Sequence, residues 1–395
     1  MDARKEIAMA VNAVGLVEYR DRLRRVQDIL EARSIDILVA FGSESEPQNL
    51  VYLANYWPAF ETSSVVVPHE GTPALAIGPE TKTFAEESGV ITRIFQVLEH
   101  RESSEPAYPN QKLATYEDLF DFALGGKQPR KIGISGMAFI ALPVYEAIVR
   151  AARGAEIVKA DDILIGLRMK KSEHEVRLLR ESSAINLKAF EAGLKNLRAG
   201  MEEVEVAAHI IGGMFAHRAE NAAFTPYVLS GSRTNQAISR PSHRVIQKNE
   251  PIQFSFGCKY HGYASSIGRP LCIGRMPGKY RELVEVGMAA QELVIASLKP
   301  GIPAKEVFGK YWDFLVSRGF SSYFLYGPCH GTGIMECEHP FLEATSDYLL
   351  EEGMTFQVDI FLGDREFGLR FEDGALITAR GAEAFNNEYR RVIEL

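Results

Sequence analysis

A carboxylate in the middle of an apolar strand is the sequence feature that most constrains the fold of this chain. Residues 353–378 are typical of a hairpin, with Asp359 inside Phe-Gln-Val-Asp-Ile-Phe-Leu and Glu372 inside Leu-Arg-Phe-Glu-Asp. Because side chains alternate along a strand, Arg370 and Glu372 share one face. A carboxylate among apolar neighbours is costly unless it is paired or liganded. We therefore expect either a cross-strand Asp359–Arg370 ion pair or a functional site.

Two further segments carry residues suited to chemistry. Residues 253–270 predict a second hairpin, and Tyr263 beside its turn is either a packing residue or part of a pocket. Residues 327–340 place His330 among glycines and prolines. Histidine changes its charge near neutral pH, so His330 is a candidate proton carrier.

The pattern of helices and strands divides the chain into two domains. Residues 18–33 have apolar side chains three and four positions apart and predict an amphipathic helix. Short apolar runs predict strands at 35–41, 64–67, 74–77 and 131–134. This alternation indicates an α/β domain over residues 1–160. Ser172, three residues before Glu175, is typical of a capping box that begins a long helix, and the second domain covers residues 161–395.

The second domain is expected to be rich in strands. Apolar runs and turn residues predict strands at 252–256, 271–273, 355–361 and 374–378, a turn at 259–262 and one helix at 280–298.

Composition excludes several classes of protein. A length of 395 residues fits two or three domains, and a formal net charge of −8 argues against a nucleic-acid binder. Apolar runs fall short of the roughly 18 residues of a membrane span, and Asn12 interrupts the apolar stretch 7–17, which is therefore not expected to be a signal peptide. Four cysteines without a CxxC pair indicate reduced thiols. We expect a cytoplasmic protein with no nucleic-acid or membrane partner.

The order of the motifs resembles a known family. A hairpin is followed by His-Gly-x-Gly from His330, by Gly-Met-x-Phe at 353–356 and by Arg-x-Glu-Asp at 370–373, and the first domain contains Asn49-Leu-Val-Tyr52-Leu53. This combination resembles the pita-bread fold family of methionine aminopeptidase, prolidase, aminopeptidase P and creatinase. The resemblance implies a creatinase-like α/β N-terminal domain followed by an α+β pita-bread catalytic domain.

The resemblance also implies a set of ligand positions, which this chain keeps only in part. The metallopeptidases of the family bind two metal ions through two Asp, one His and two Glu, and these positions fall on Ser255, Ser266, His330, Asp359 and Glu372. The family's His-Glu pair falls on Cys337-Glu338. Two hydroxyls replace two carboxylates, so a two-metal site is not expected. One divalent ion on the remaining three residues is the alternative.

Metal-free members of the family suggest the main functional hypothesis. Creatinase and an ectoine-type hydrolase cleave C–N bonds of small guanidino or amidine compounds without metal. This chain has Ile238 and Gly268 at two of creatinase's functional positions and keeps Glu372, so its substrate differs. We expect a metal-independent, cofactor-free hydrolase or lyase acting on a small cationic or zwitterionic nitrogen compound.

The predicted roles follow from this hypothesis. The catalytic residues are His330, Asp359 and Glu372, with one carboxylate as general acid and the other as general base. The expected substrate contacts are Ser255, Ser266, Tyr263, Arg370, Glu338, His243 and Trp57. By resemblance to creatinase, the chain forms a homodimer in which the Trp57 loop reaches the partner's pocket. The alternatives are an Xaa-Pro dipeptidase or aminopeptidase with a one-metal site, and a non-catalytic binding protein.

Overall fold

The computed structural model describes residues 15–395, which fall into two compact units. The first unit ends at Arg168 and the second comprises Met169–Leu395. Residues 1–14 of the expected first domain, and with them most of the apolar stretch 7–17, lie outside the described residues. Within the described part of the chain, every helix is too short or too polar to cross a membrane.

The first unit is built on a six-stranded mixed sheet with the strand order β4-β3-β2-β1-β5-β6. Its strands are β1 (Ile37–Gly42), β2 (Ser63–Pro68), β3 (Ala74–Ile77), β4 (Ile94–Gln96), β5 (Lys131–Ser135) and β6 (Glu156–Lys159). Its helices are α1 (Leu16–Ala32), α2 (Gln48–Ala54), α3 (Lys82–Ser88), α4 (Tyr116–Leu124), α5 (Leu142–Ala152) and α6 (Asp161–Met169), the last ending one residue into the second unit. The Asn49–Leu53 motif lies on α2, where Asn49 donates to the carbonyl of Phe41 at 2.9 Å and so joins this helix to β1.

The second unit is a nine-stranded sheet flanked by four long helices. Its strands are β7 (Asn221–Ser230), β8 (Ile252–Tyr260), β9 (Tyr263–Cys272), β10 (Cys329–Gly331), β11 (Glu338–Leu342), β12 (Thr355–Gly363), β13 (Gly368–Thr378), β14 (Gly381–Ala384) and β15 (Ile393–Glu394). Its helices are α7 (Glu173–Asn196), α8 (Glu203–Ala216), α9 (Gly278–Ser297) and α10 (Ala304–Arg318). The main strand order is β11-β10-β12-β13-β9-β8-β7, with β14 paired to β13 and β15 to β9.

Strand periodicity separates an apolar face from a polar one. Phe254 and Phe256 of β8 join an apolar cluster with α7 and α8, and Phe356 and Phe371 of β12 and β13 join another with α9 and α10. The residues between them point away from these clusters because side chains alternate along a strand. The polar residues of β8, β9, β12 and β13 therefore share the opposite face of the sheet.

The structure confirms some predicted elements and corrects others. The capping box is present: Ser172 accepts from the Glu175 amide, and Glu175 accepts in return at 2.9 Å. The predicted turn at 259–262 is too long, because Lys259 and Tyr260 pair with β9 and only residues 261–262 turn, both with positive φ. Helix α10 is absent from the prediction, because the Lys-Pro-Gly break after α9 indicates a non-helical connection.

Candidate active site

Several of the predicted site residues lie in one register row, that is, a row of residues paired directly across neighbouring strands. Asp359 of β12 lies opposite Glu372 of β13, Glu372 lies opposite Gly268 of β9, and Gly268 lies opposite Ser255 of β8. A Cβ at Gly268 would stand 2.9 Å from the Cβ of Glu372 and 3.0 Å from the Cγ of Arg370. The absence of a side chain at Gly268 therefore leaves room for both of these residues.

Four side chains form what we call the acid cluster: Ser266, His330, Glu336 and Glu372. The Ser266 hydroxyl lies 2.9 Å from Oε1 of Glu336 and also contacts Oε1 of Glu372. Nε2 of His330 lies 3.7 Å from the same oxygen of Glu336. One hydroxyl has one hydrogen, so both serine contacts are hydrogen bonds only when one of the two carboxyl groups is protonated.

The acid cluster has the ligand set of a divalent cation site. One ligand atom each from His330, Glu336 and Glu372 lies within 4.8 Å of the others. Oε2 of Glu372 is buried without a hydrogen-bond partner among residues 15–395, as expected of an atom that awaits a ligand. Imidazole nitrogen and carboxylate oxygen suit several divalent ions. These residues fit a divalent metal ion.

A second group, which we call the arginine cluster, contains Asp359, Arg370, Tyr326 and Ser255. Nε of Arg370 lies 3.1 Å from Oδ1 of Asp359, and the Tyr326 hydroxyl donates to Oδ2 of Asp359 at 2.7 Å. Nη2 of Arg370 donates to the Tyr326 oxygen at 2.7 Å, and Nη1 lies 3.5 Å from the Ser255 hydroxyl. Neither Nε of Arg370 nor Oδ1 of Asp359 forms a hydrogen bond with any described residue, so the contact between them is an ion pair without a hydrogen bond. The predicted Asp359–Arg370 ion pair is therefore present.

The two clusters shift each other's protonation. Burial, followed by the charges of Asp359 and Glu336, raises the pKa of Glu372 well above its usual range, which Arg370 offsets only in part. Burial acts to lower the pKa of His330, but the nearby Glu336 carboxylate and further acidic groups outweigh it, and this pKa is raised. Both shifts favour the protonated form: a neutral carboxyl at Glu372 and a charged imidazole at His330.

Tyr326 keeps its proton. Burial and the negative charge of Asp359 raise the pKa of its hydroxyl well above the ordinary value, although Arg370 acts in the opposite direction. At neutral pH Tyr326 is therefore a neutral phenol that joins the carboxylate of Asp359 to the guanidinium of Arg370.

The structure brings six of the ten predicted site residues into these two clusters: Ser255, Ser266, His330, Asp359, Arg370 and Glu372. The other four have their own partners. The Tyr263 hydroxyl donates to Glu175 at 2.9 Å, and Glu338 forms a buried ion pair with Lys171 at 2.9 Å.

The remaining two predicted site residues lie elsewhere. His243 is exposed, with Nδ1 located 2.6 Å from Oε2 of Glu202. Trp57 belongs to the first unit, where its Nε1 donates to the carbonyl of Glu44 at 2.9 Å. The role of each in substrate binding stays a prediction.

Sequence reasoning missed two residues of the site. Glu336 lies in the stretch 327–340 that contains His330. Its acidic side chain, six residues after that histidine, could have indicated a second ligand in this stretch. Tyr326 lies one residue before that stretch. In the structure Glu336, rather than Asp359, completes the three-residue ligand group with His330 and Glu372.

Comparison with known families agrees with the fold. The model described as metallopeptidase family M24 matches residues 177–379, and the one described as creatinase/prolidase N-terminal domain matches residues 22–170. The structure is thus a creatinase-type N-terminal domain followed by a pita-bread domain, as predicted from the motifs. The chain belongs to metallopeptidase family M24.

Individual relatives carry peptidase names. An Xaa-Pro dipeptidase of Pyrococcus furiosus is 25% identical over 95% of this chain and 100% of its own length. An Xaa-Pro dipeptidase of Pyrococcus horikoshii is 30% identical over 63% of this chain and 71% of its own length. Among solved structures, a prolidase from Thermococcus sibiricus has a TM-score of 0.83 at 22% identity, covering 96% of this chain and 100% of its own. This last likeness supports the fold.

Proposed function

We propose that this chain is a hydrolase of the Xaa-Pro dipeptidase type with a reduced cation site, in which His330, Glu336 and Glu372 bind a single divalent ion. The observation that carries the proposal is the approach of these three ligand atoms to within 4.8 Å of one another. The peptidase names of the relatives support a peptide-like amide as the substrate. This proposal follows the alternative hypothesis from the sequence, and the metal-independent hypothesis becomes the second candidate.

Charge supports one ion and argues against two. The carboxylates of Glu336, Asp359 and Glu372, when ionised, and the guanidinium of Arg370 leave two negative charges in a largely buried site. One divalent ion neutralises them. A second ion would have to bind at Ser255 and Asp359, where a neutral hydroxyl replaces a carboxylate and the remaining carboxylate is paired with Arg370. The residues present do not fit a two-metal centre.

The chain's own groups have distinct roles in this proposal. A divalent ion supplies Lewis acidity and lowers the pKa of bound water. Arg370 is a fixed positive charge that can bind a substrate carboxylate or stabilise a developing negative charge on oxygen. Tyr326 keeps its phenolic proton next to that guanidinium, and its oxygen orients the guanidinium by accepting from Nη2 at 2.7 Å.

The test combines cation binding with hydrolysis. Calorimetric titration of the purified chain with Mn²⁺ is expected to give one ion per chain, with binding lost in Glu336→Gln and Glu372→Gln. Glu352→Gln, which removes an exposed carboxylate of the same unit, is the matched control and should bind normally. Xaa-Pro dipeptides should be cleaved only with the ion present. Two ions per chain, or none, would overturn the proposal.

A second candidate rests on the same carboxyl groups, which a cationic substrate would keep ionised. A small cationic nitrogen compound, such as an amidine or a guanidino acid, can neutralise the acid cluster in place of a metal ion. The specific observation in its favour is the pair of hydroxyls, Ser255 and Ser266, at positions where the family's metallopeptidases have carboxylates. Turnover of such compounds after exhaustive chelation, together with no cleavage of dipeptides by the Mn²⁺-loaded chain, would favour this candidate.

We also propose that the chain acts as a homodimer. The support is local: next to Trp57, the Phe60 side chain is 84% exposed and its backbone has φ of +59°, a conformation that costs free energy in a bulky residue. Burial of this apolar ring against a second copy of the chain would be favourable and would offset that cost. Light scattering of the purified chain should give twice the mass of 43.9 kDa, and Phe60→Asp should lower it. A monomeric wild-type mass would contradict this.

A further inference from the structure

Glu336 reaches the acid cluster on an irregular segment rather than on a helix or strand. Residues 332–337 connect β10 to β11 without regular structure. Backbone outside regular elements is held in place only by specific contacts. The position of the Glu336 carboxylate therefore depends on whatever fixes this segment, which we call the Glu336 loop.

The start of the Glu336 loop is fastened to the edge of the β8–β9 hairpin. The Thr332 hydroxyl donates to the carbonyl of Ala264 at 2.9 Å, and the Ala264 amide donates to the carbonyl of Gly333 at 2.7 Å. Ala264 lies two residues before Ser266 and so on the same face of β9. The loop is thus fastened next to the strand that supplies the serine of the acid cluster.

A buried lysine holds the middle of the loop. Lys259 is 4% exposed, and its ammonium donates to the carbonyl of Ile334 at 2.6 Å. It lies on the same face of β8 as Ser255, four residues away. A buried ammonium is costly without good acceptors, and a charged donor makes a stronger hydrogen bond than a neutral one. This lysine therefore fixes the backbone two residues before Glu336.

A second buried lysine holds the end of the loop. The Lys171–Glu338 ion pair is 2.9 Å long, and its side chains are 1% and 5% exposed. Gly333 packs against this pair so closely that a Cβ there would overlap the Glu338 carboxylate and stand 2.9 Å from Cε of Lys171. Both lysines belong to the second unit, so the loop is fixed on either side of Glu336 within a single unit.

From these contacts we infer that Lys259 is a positioning residue of the cation site, because its bond to the Ile334 carbonyl sets where the Glu336 carboxylate stands. Lys259 acts through the loop backbone and is not a ligand. The cation-binding part of this inference rests on the proposed function, whereas the position of Glu336 relative to His330 does not.

The experiment compares Lys259→Met, which removes the donor, with Lys259→Arg, which keeps a charged donor. Lys248→Met is the matched control because it removes an exposed lysine of the same unit. Calorimetry should show Mn²⁺ binding about 10–100-fold weaker in Lys259→Met, as for other residues that orient a ligand, with partial recovery in Lys259→Arg and no change in the control. In the Glu336→Gln background, Lys259→Met should add little further loss.

A second measurement separates this inference from the proposed function. Crystallography of the cation-free chain gives the distance between the Ser266 hydroxyl and Oε1 of Glu336, which is 2.9 Å here. Lys259→Met should lengthen this distance, and Lys259→Arg should largely restore it. A wild-type chain that binds no Mn²⁺ would overturn the proposed function alone. An unchanged position of the Glu336 carboxylate in folded Lys259→Met would overturn the role of Lys259.

Discussion

Nε of Arg370 lies 3.1 Å from Oδ1 of Asp359, so a buried carboxylate of the sheet is paired with an internal cation. Asp359 also accepts a hydrogen bond from Tyr326 at 2.7 Å. Its neighbour across the strands, Glu372, keeps one oxygen without a hydrogen-bond partner among residues 15–395. Two carboxylates directly opposite each other in the sheet thus have different environments: Asp359 is paired with a guanidinium and a phenol, whereas Glu372 contacts a serine hydroxyl in the acid cluster.

Removing the guanidinium of Arg370 should leave the buried carboxylate of Asp359 without its partner. We expect Arg370→Met to lower the free energy of unfolding by about 3–5 kcal/mol, because the Asp359 carboxylate would stay buried without a partner that offsets its desolvation cost. Urea unfolding measures this. Arg365→Met, at an exposed arginine on the connection between β12 and β13, is the control and should change little. Equal losses in the two variants would show that the pair is not important for stability.

Introducing a carboxylate at position 266 should strengthen cation binding. Ser266→Asp adds a negative ligand next to Glu336 and Glu372, so Mn²⁺ is expected to bind at least about tenfold more tightly. The same change should destabilise the cation-free chain, because a third carboxylate enters a crowded group. Ser266→Ala, which adds no charge, is the comparison in calorimetry and thermal unfolding. Unchanged Mn²⁺ affinity in Ser266→Asp would mean that the ion binds elsewhere.

Filling the gap at Gly268 should damage the site. The Cβ of Gly268→Ala would stand 2.9 Å from that of Glu372, so overpacking is expected to cost about 1–3 kcal/mol and to weaken Mn²⁺ binding. Gly309→Ala, in α10 with open space around the added methyl, should instead be neutral or stabilise by up to about 1 kcal/mol. The expectation fails if Gly268→Ala behaves like Gly309→Ala in unfolding and in calorimetry.

The first unit should lose stability in acid because of a buried histidine. Burial lowers the pKa of His100 to about 3, and its ring nitrogens lie 2.8 Å from Thr62 and Tyr116 oxygens. In the unfolded chain the pKa is about 6.5, so the unfolded state binds the proton first. Stability is therefore complete above about pH 6.5 and falls as the pH drops toward 3, by about 2–3 kcal/mol at pH 4.5.

Tryptophan fluorescence can follow this effect in the first unit alone. The chain has two tryptophans, and the Trp312→Phe variant leaves Trp57 of the first unit as the reporter. Urea unfolding at pH 7.5 and at pH 4.5 should give the difference stated above, and His100→Gln should reduce the difference. An equal pH dependence in both variants would assign the acid sensitivity to other groups.

Period-two patterns in the sequence are enough to predict the sheet face that carries the site. Asp359, Arg370 and Glu372 interrupt apolar strands at alternating positions, and the hairpin that joins these strands brings the three side chains to one face. The capping box at Ser172 is equally predictable, because it depends on two residues three apart.

The parts that could not be predicted depend on contacts distant in sequence. Glu336 lies on a loop with no periodicity, and its position follows from Lys259, 77 residues earlier in the chain. Tertiary packing, and not local sequence pattern, likewise determines two further ion pairs, His243–Glu202 and Glu338–Lys171. Helix α10 escapes prediction because a Lys-Pro-Gly break hides a second helix that begins only a few residues later, at Ala304.

The register row that joins Asp359, Glu372, Gly268 and Ser255 also protects the chain against misfolding. A strand that slipped by one residue would turn every side chain to the other face of the sheet. In β13 such a slip would press Arg370 and Glu372 into the apolar layer under α9 and bring Phe371 out of it. Mispaired forms are therefore less stable, because they bury charged side chains among apolar ones. The polar residues of the site thus also favour the native strand alignment over the slipped ones.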